Sequence, residues 1–288
     1  MAKRERTGVM LCQPIDLARV NTFKRIIIQP KLDGVRCRAI YTRDGIKLFS
    51  STMRELNLPY IVKDIEHTFG PVSESRLGMF IDGELYIHGE EFEKITSIVS
   101  RTVNMSSTCV EYHIFDMVAQ NEGPSIAPYT PLWKRLEILE SFHLSEEHLR
   151  SVATVICDRD FQEHISTFAN VFQNNGYEGI VVKDADSMYI PRKDIHWMKY
   201  KPSRSDTYLI VGAIEEINKN GFPKDRLGAL VVKDSDGKTF KVGSGLTEEQ
   251  RIELWRDAEK VVGRKVKVKY FGLTANGIPR HPVFVEVL

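Results

Sequence analysis

Gln29-Pro30-Lys31-Leu32-Asp33-Gly34-Val35-Arg36 is the stretch whose reading decides how the rest of the chain is understood. The run before it, Arg25-Ile26-Ile27-Ile28, has the composition of a strand and delivers Lys31 at its end. The chain is then expected to turn at Asp33-Gly34 and to leave through an apolar-polar run that begins at Val35. A lysine fixed at a strand end beside a carboxylate, a glycine and an arginine is well placed to act on a phosphate. Its amine becomes a covalent nucleophile if neighbouring cations and desolvation keep it neutral. Asp33 would orient the amine or a metal, and Arg36 would grip phosphate oxygens. The same residues also fit a β-hairpin turn with solvated charges, so this stretch alone leaves both readings open.

Composition narrows the choice. The 288 residues allow one large or two modest domains, and 42% hydrophobic content is enough for a core. A formal net charge of +1 excludes a polybasic nucleic-acid binder, so any such footprint must be local. Cys12, Cys37, Cys109 and Cys157 lie far apart with no Cys-x-x-Cys pair, which argues against zinc and for free thiols in a reducing cytosol. Lys3, Arg4 and Arg6 are followed by Pro14 and Asp16 rather than a hydrophobic segment, so no signal peptide is expected. No apolar run approaches the length of a membrane span. The expectation is a soluble cytoplasmic monomer with no membrane contact.

Taken in order, residues 35–41 and 45–50 read as a hairpin turning at Asp44-Gly45. Ser51-Thr52-Met53-Arg54 ends it and returns a side chain toward the same pocket. Residues 58–69 carry Leu58, Ile61, Ile65 and Phe69 at helical spacing and stop at Gly70-Pro71. Residues 79–87 read as a half-buried strand that carries Asp82 and Glu84 on one face, which suits ribose hydroxyls or a divalent cation. A helix at 91–101 leads to a strand at 110–118. There Phe115 and Asp116 would stack on a base and hold a polar contact, unless Phe115 is simply core. Helices follow at 131–142 and 161–174, with a strand at 152–157 between them. Glu178 and Lys183 bound a buried apolar run, and Trp197, Lys199 and Lys201 project from one face of the next strand. This alternation indicates an α/β or α+β domain.

Composition changes after Pro202-Ser203-Arg204-Ser205. Strands are expected at 206–217, 227–234, 239–243, 264–271 and 282–288, with a helix at 247–262 capped by Thr247 and Gln250. Five strands with a helix between the third and fourth is the order of an OB barrel. Lys265, Lys267 and Lys269 alternate with inward valines, a basic strip that could track a nucleic-acid backbone or be a solvated face.

Together these stretches resemble, in order and across nearly the whole chain, the nucleotidyltransferase motifs of ATP-dependent DNA ligases. Lys31 to Arg36 is similar to the motif holding the nucleophilic lysine, and Asp82-Gly83-Glu84-Leu85 to the next. Phe115-Asp116 resembles the adenine-stacking motif, Glu178 to Lys183 the fourth, Trp197 to Lys201 the fifth, and Arg280-His281-Pro282-Val283-Phe284 the start of the last. The resemblance implies an α+β nucleotidyltransferase (adenylation) domain with antiparallel sheets and flanking helices over residues 1–203. A β-barrel OB-fold domain would follow over 204–288. It implies nick sealing in duplex DNA through a lysyl-AMP on Lys31, with ATP and Mg²⁺ as cofactors. Lys31, Asp33, Glu178, Lys199 and Lys201 would carry the chemistry. ATP would be held by Gln29, which reads adenine, and by Pro30, Arg36, Arg54, Glu84, Phe115, Lys183, Lys199 and Lys201, with Arg280 arriving on domain closure. Glu178 and Glu84 would hold the metal. DNA would meet Arg54, Arg192 and the strip Lys265, Lys267 and Lys269.

Three features depart from the family. Its usual Ser-Arg has become Ser51-Thr52-Met53-Arg54, the sequence stops at Leu288 where relatives often continue with basic residues, and Asp234 to Lys238 is a tight turn where some small ligases carry a DNA-clasping insertion. An RNA ligase or an mRNA-capping guanylyltransferase shares the lysine chemistry and remains an alternative. Intact Lys31, Glu178 and Lys199 argue against a non-catalytic nick-binding module. An NAD-dependent ligase would need a sizeable module ahead of the lysine.

Overall fold

The computed structural model describes residues 8–100, 110–118, 129–218, 220–274 and 277–288. Arg101 and Cys109 lie outside these residues. Two units divide the chain, Met1–Tyr200 and Lys201–Leu288.

Two sheets build the first unit. One runs Leu11–Pro14, Lys193–Tyr200, Gly179–Asp184, Ile26–Lys31, Val155–Cys157 in spatial order, and the other Glu55–Leu56, Gly45–Ser50, Val35–Thr42, Phe80–Tyr86, Glu111–Val118, Leu149–Ser151. Pairing is antiparallel except for Leu11–Pro14 on Lys193–Tyr200 and Glu111–Val118 on Leu149–Ser151. The unbroken isoleucine run explains the centre of the first sheet. Ile26 and Ile28 pack against Ile165, Ala169 and Phe172 of helix Phe161–Asn174, while Ile27 enters the core shared with Cys37, Ala39 and Leu85 of the second sheet. A strand buried on both faces needs apolar residues at every position, not at alternate ones. Around Val35 the alternation returns: Cys37, Ala39 and Tyr41 join Ile61, Ile65 and Phe69 of helix Pro59–Phe69.

The turn expected at Asp33-Gly34 does not form a hairpin. Ile26–Lys31 and Val35–Thr42 belong to different sheets, so Leu32 to Gly34 carries the chain from one sheet to the other. Gly34 serves close approach here: a Cβ would strike the Leu85 carbonyl oxygen and Glu84 Cγ. Residues 152–157 likewise make no single strand. Leu149–Ser151 joins one sheet and Val155–Cys157 the other, with Val152 to Thr154 bridging them.

The second unit is a five-stranded sheet in the order Thr239–Val242, Pro223–Lys233, Arg204–Ile217, Lys265–Tyr270, Val283–Val287. Tyr208, Ile210, Leu230, Val232, Val266 and Val268 form its core. The expected closed barrel is corrected to an open sheet. Among the described residues its edge strands meet in one bridge, Ser244 with Val283, where the Phe284 N–H donates to the Ser244 carbonyl at 2.8 Å. The capping box forms: Gln250 N–H donates to Thr247 Oγ1 at 3.2 Å and Thr247 N–H to Gln250 Oε1 at 2.9 Å. The expected single helix instead breaks at Asp257 into Glu248–Arg256 and Ala258–Val261. Asp234 to Lys238 is a turn closed on the Asp234 side chain. No helix among the described residues is long and apolar enough to cross a membrane.

Candidate active site

A cavity of about 500 Å³ opens in the first unit, a size that suits a nucleotide-scale ligand. One wall follows from period-two geometry. Lys31 pairs with Gly179 and Gln29 with Val181, while Val181 pairs with Lys199 and Lys183 with Trp197. Paired residues share a face, so Gln29, Lys31, Val181, Lys183, Trp197 and Lys199 all line the cavity. The facing wall comes from the second sheet, where Arg36 pairs with Glu84 and both line the cavity with Phe115. Phe115 arrives by an irregularity. Asp82 pairs with Asp116 and Gly83 with Ile114, leaving Phe115 as an extra residue opposite no partner. Such a bulge re-aims a side chain out of the ladder, and here it supplies an aromatic wall.

The Lys31 ammonium is ion-paired with Glu178, whose backbone N–H also donates to the Lys31 carbonyl at 3.2 Å. Strand pairing therefore delivers both members of the pair. Lys183 is nearly fully buried. Among the described residues its Nζ has no hydrogen-bond partner, and it stands 3.8 Å from the centre of the Trp197 ring and 4.6 Å from that of Phe115. Burial pulls its ammonium down to about 8, against the opposing pull of Asp116. The ring faces offset part of that cost. Burial pushes the Glu84 carboxyl up to about 7, although Arg36 and Lys31 favour its ionised form.

Arg36 grips a carboxylate of the protein. Its Nε and Nη2 meet Asp82 Oδ1 and Oδ2 at 2.7 and 2.6 Å, while its guanidinium lies 4.6 Å over Phe115. Asp82 is fully buried and also accepts from the Tyr189 hydroxyl at 2.6 Å, so it faces neither ribose nor metal. Asp116 offers no polar contact to a base. It is fully buried and held by Arg135 Nε and Nη2 at 2.7 and 2.8 Å, an anchor directly behind the Phe115 bulge. Gln29 is buried, with its Nε2 donating to Thr154 Oγ1 at 2.9 Å.

Other expected site residues lie elsewhere. Asp33 is half-buried on the crossover and outside the cavity wall. Arg54 is exposed with Nη2 3.3 Å from Ser100 Oγ; Ser51, not Arg54, lines the cavity. Arg192 is exposed, with its carbonyl accepting from the Leu11 N–H. Lys201 and Arg280 belong to the second unit, as do Lys265, Lys267 and Lys269. Lys265 and Lys269 are exposed, and Lys267 Nζ lies 3.6 Å from Glu286 Oε1. Pro30 lines the cavity beside Lys31. Sequence reasoning missed Lys193 and Cys12 in the cavity wall and the buried Arg135 and Tyr189 behind it. Period two from Trp197 back to Lys193 would have found Lys193. No local pattern marks Arg135, which meets Asp116 only through tertiary packing.

Residues 9–201 match the family described as ATP dependent DNA ligase domain, and residues 220–287 match that described as DNA ligase OB-like domain. The DNA ligase of Haemophilus influenzae is 26% identical over 264 residues, covering 90% of this chain and 85% of that protein. The African swine fever virus DNA ligase is 28% identical over 273 residues, 88% of this chain and 61% of the viral protein. Of the DNA ligases of Natronomonas pharaonis and Haloquadratum walsbyi the chain spans 41%. Among solved structures, that of a Lig E DNA ligase has a TM-score of 0.69 at 22% identity, covering 98% of this chain and 99% of that one, a likeness of fold.

Proposed function

The chain belongs to the ATP-dependent DNA ligase family, and on that premise we propose that it seals nicks in duplex DNA through an AMP carried on Lys31. One observation carries the reading. Lys31 opens onto a cavity whose charged lining is five cations (Lys31, Arg36, Lys183, Lys193 and Lys199) against one carboxylate, Glu84. Such a lining suits the phosphates of a nucleotide, and Phe115 suits its base.

In the first step the Lys31 ammonium loses its proton to water, as its cationic neighbours favour, and Lys31 Nζ attacks the α-phosphorus of ATP. The N–P bond forms as the bond to pyrophosphate breaks. A DNA 5′-phosphate oxygen then attacks the same phosphorus, breaking the bond to Lys31, whose nitrogen regains a proton. Finally the 3′-hydroxyl attacks the 5′-phosphate, the phosphodiester forms and AMP leaves. In each step the protein positions groups and offsets charge. Lys183 and Lys199 share the Lys31 face of the sheet and neutralise phosphate oxygens. Lys201 and Arg280 are assigned to later contacts with the phosphates.

Among the described residues no cluster of three or more His, Cys, Asp or Glu forms a cage for an ion. Two carboxylates suffice for Mg²⁺, which takes its remaining ligands from phosphates and water, so the donor set fits. Glu84 and Glu178 would hold the ion, which when bound offsets phosphate charge. DNA contacts are assigned to Arg54, Arg192, Lys265, Lys267 and Lys269, with the protein acting as a monomer.

Incubation with ATP labelled at the α-phosphate tests this. The expected result is a labelled chain whose label maps to Lys31 and is discharged by nicked duplex DNA with formation of a sealed strand. Efficient labelling by GTP and none by ATP would move the assignment to capping chemistry. Label on another lysine would remove Lys31 as the nucleophile.

A further inference from the structure

The hydrogen bond between Gln29 and Thr154 has a direction that can be deduced. Thr154 Oγ1 lies 2.9 Å from the Val152 carbonyl oxygen, which can only accept, so the single hydroxyl proton is spent there. Toward Gln29, 2.9 Å away, Oγ1 must therefore accept, and the carboxamide must present its NH₂ end to Thr154. Among the described residues this is the one hydrogen bond of the Gln29 side chain, so Oε1 is the end turned away from Thr154. Gln29 is buried and lines the cavity two residues before Lys31 on the same strand face. A carboxamide in such a place could flip and offer either an acceptor or a donor pair. Thr154 removes that freedom.

We propose that Thr154 is a positioning residue for base selection: by locking the Gln29 amide it presents a fixed acceptor to the bound purine. This rests on the cavity being the ATP site. A fixed acceptor matches the 6-amino group of adenine and opposes the 6-carbonyl oxygen of guanine. A site built to hydrogen-bond one exocyclic group rejects the base that leaves its buried polar atom unpaired. The backbone explains how Thr154 comes to be there. Residues 152–154 bridge the two sheets, and Val155 pairs with Ile28 beside Gln29, so the hydroxyl reaches the amide across the strand edge. No sequence spacing links positions 29 and 154.

The test is labelling of Lys31 by α-labelled ATP and GTP, compared as kcat/KM for wild type, Thr154→Val and Thr154→Ser. Thr154→Val keeps the side chain's shape and removes the acceptor, so the amide can turn. Its ATP-to-GTP ratio is expected to fall about tenfold, through a higher KM for ATP and a lower one for GTP, with ATP labelling at saturation retained. Thr154→Ser restores the ratio. Thr154→Ala, which is smaller and clashes with nothing, gives the same readout should the valine variant not fold. A Thr154→Val protein with the wild-type ratio, or one that loses both nucleotides equally, overturns the inference. A wild-type protein labelled by neither nucleotide is a different failure, that of the ATP-site reading itself.

Discussion

Two sets of cations in this chain rest on the same two-residue strand period and end in opposite surroundings. Lys183 is sealed under Trp197 and Phe115 and Arg36 is clamped on Asp82, whereas Lys265 and Lys269 stand in water and Lys267 shares its charge with Glu286. The buried set is held to one geometry at a desolvation cost, which suits a reaction that must place charge on one phosphorus. The exposed set is screened by salt and indifferent to geometry, which suits tracking a polyanion of any sequence.

The largest expected effect tests the buried set at its centre. Lys31→Ala should lose self-labelling by at least about a thousandfold, as removing a covalent nucleophile does, yet still seal a nick that already carries 5′-AMP. Substantial labelling of that variant would break the comparison at its strongest point.

The next effect separates function from stability. Lys183→Met should cut labelling about a hundredfold, since a charge aimed at the phosphates is gone, and should melt at a higher temperature. The sign follows from the direction of the shift. Burial lowers the folded-state value from 10.5 to about 8, so below pH 8 the ammonium is charged in both states and disfavours folding by at most about 3 kcal/mol. The stability gap should be full below pH 8 and vanish above about 10.5. Glu84 gives the mirror case. Its carboxyl is raised from 4.5 to about 7, so its stabilising contribution is present below pH 4.5 and lost as pH rises through 7. Glu84→Gln should match wild-type stability at pH 4 and exceed it at pH 8. Equal melting temperatures at both pH values would count against a raised Glu84 carboxyl.

Smaller effects belong to the exposed set. Replacing Lys265, Lys267 and Lys269 together by alanine should reduce the salt slope of nick binding by up to about three units, nearer two if Glu286 already neutralises Lys267. Lys31 labelling should survive. Unchanged slopes would remove the strip from the DNA surface. The smallest effect sharpens this further: Glu286→Gln should release Lys267 and raise nick affinity by less than about threefold at low salt.

What the sequence made legible follows the same division. Where one period runs uninterrupted, as in Trp197 to Lys199 or Lys265 to Lys269, the facing of each side chain was readable. Where the chain changes sheet it was not. Leu32 to Gly34 carries an ordinary hairpin signature, and only the sheet pairing of its two flanking strands shows it to be a crossing point, where the Leu85 carbonyl leaves no room for a Cβ at Gly34. Asp116 reads as a polar contact in sequence because its neighbour is an aromatic. Its partner Arg135, on a helix nineteen positions later, exists only in three dimensions. Thr154 was missed for the same reason.

The extra residue at Phe115 bears on how such a site is inherited. The pairs Asp82 with Asp116 and Gly83 with Ile114 stand on either side of it, so deleting residue 115 would join them into a regular ladder. The resulting sheet would be the more orderly one and would lack the aromatic wall of the nucleotide cavity. A single-codon deletion there would cost the cavity its aromatic wall and would also strip Lys183 and Arg36 of the ring that lies 4.6 Å from each, so the extra residue is held by packing as well as by chemistry.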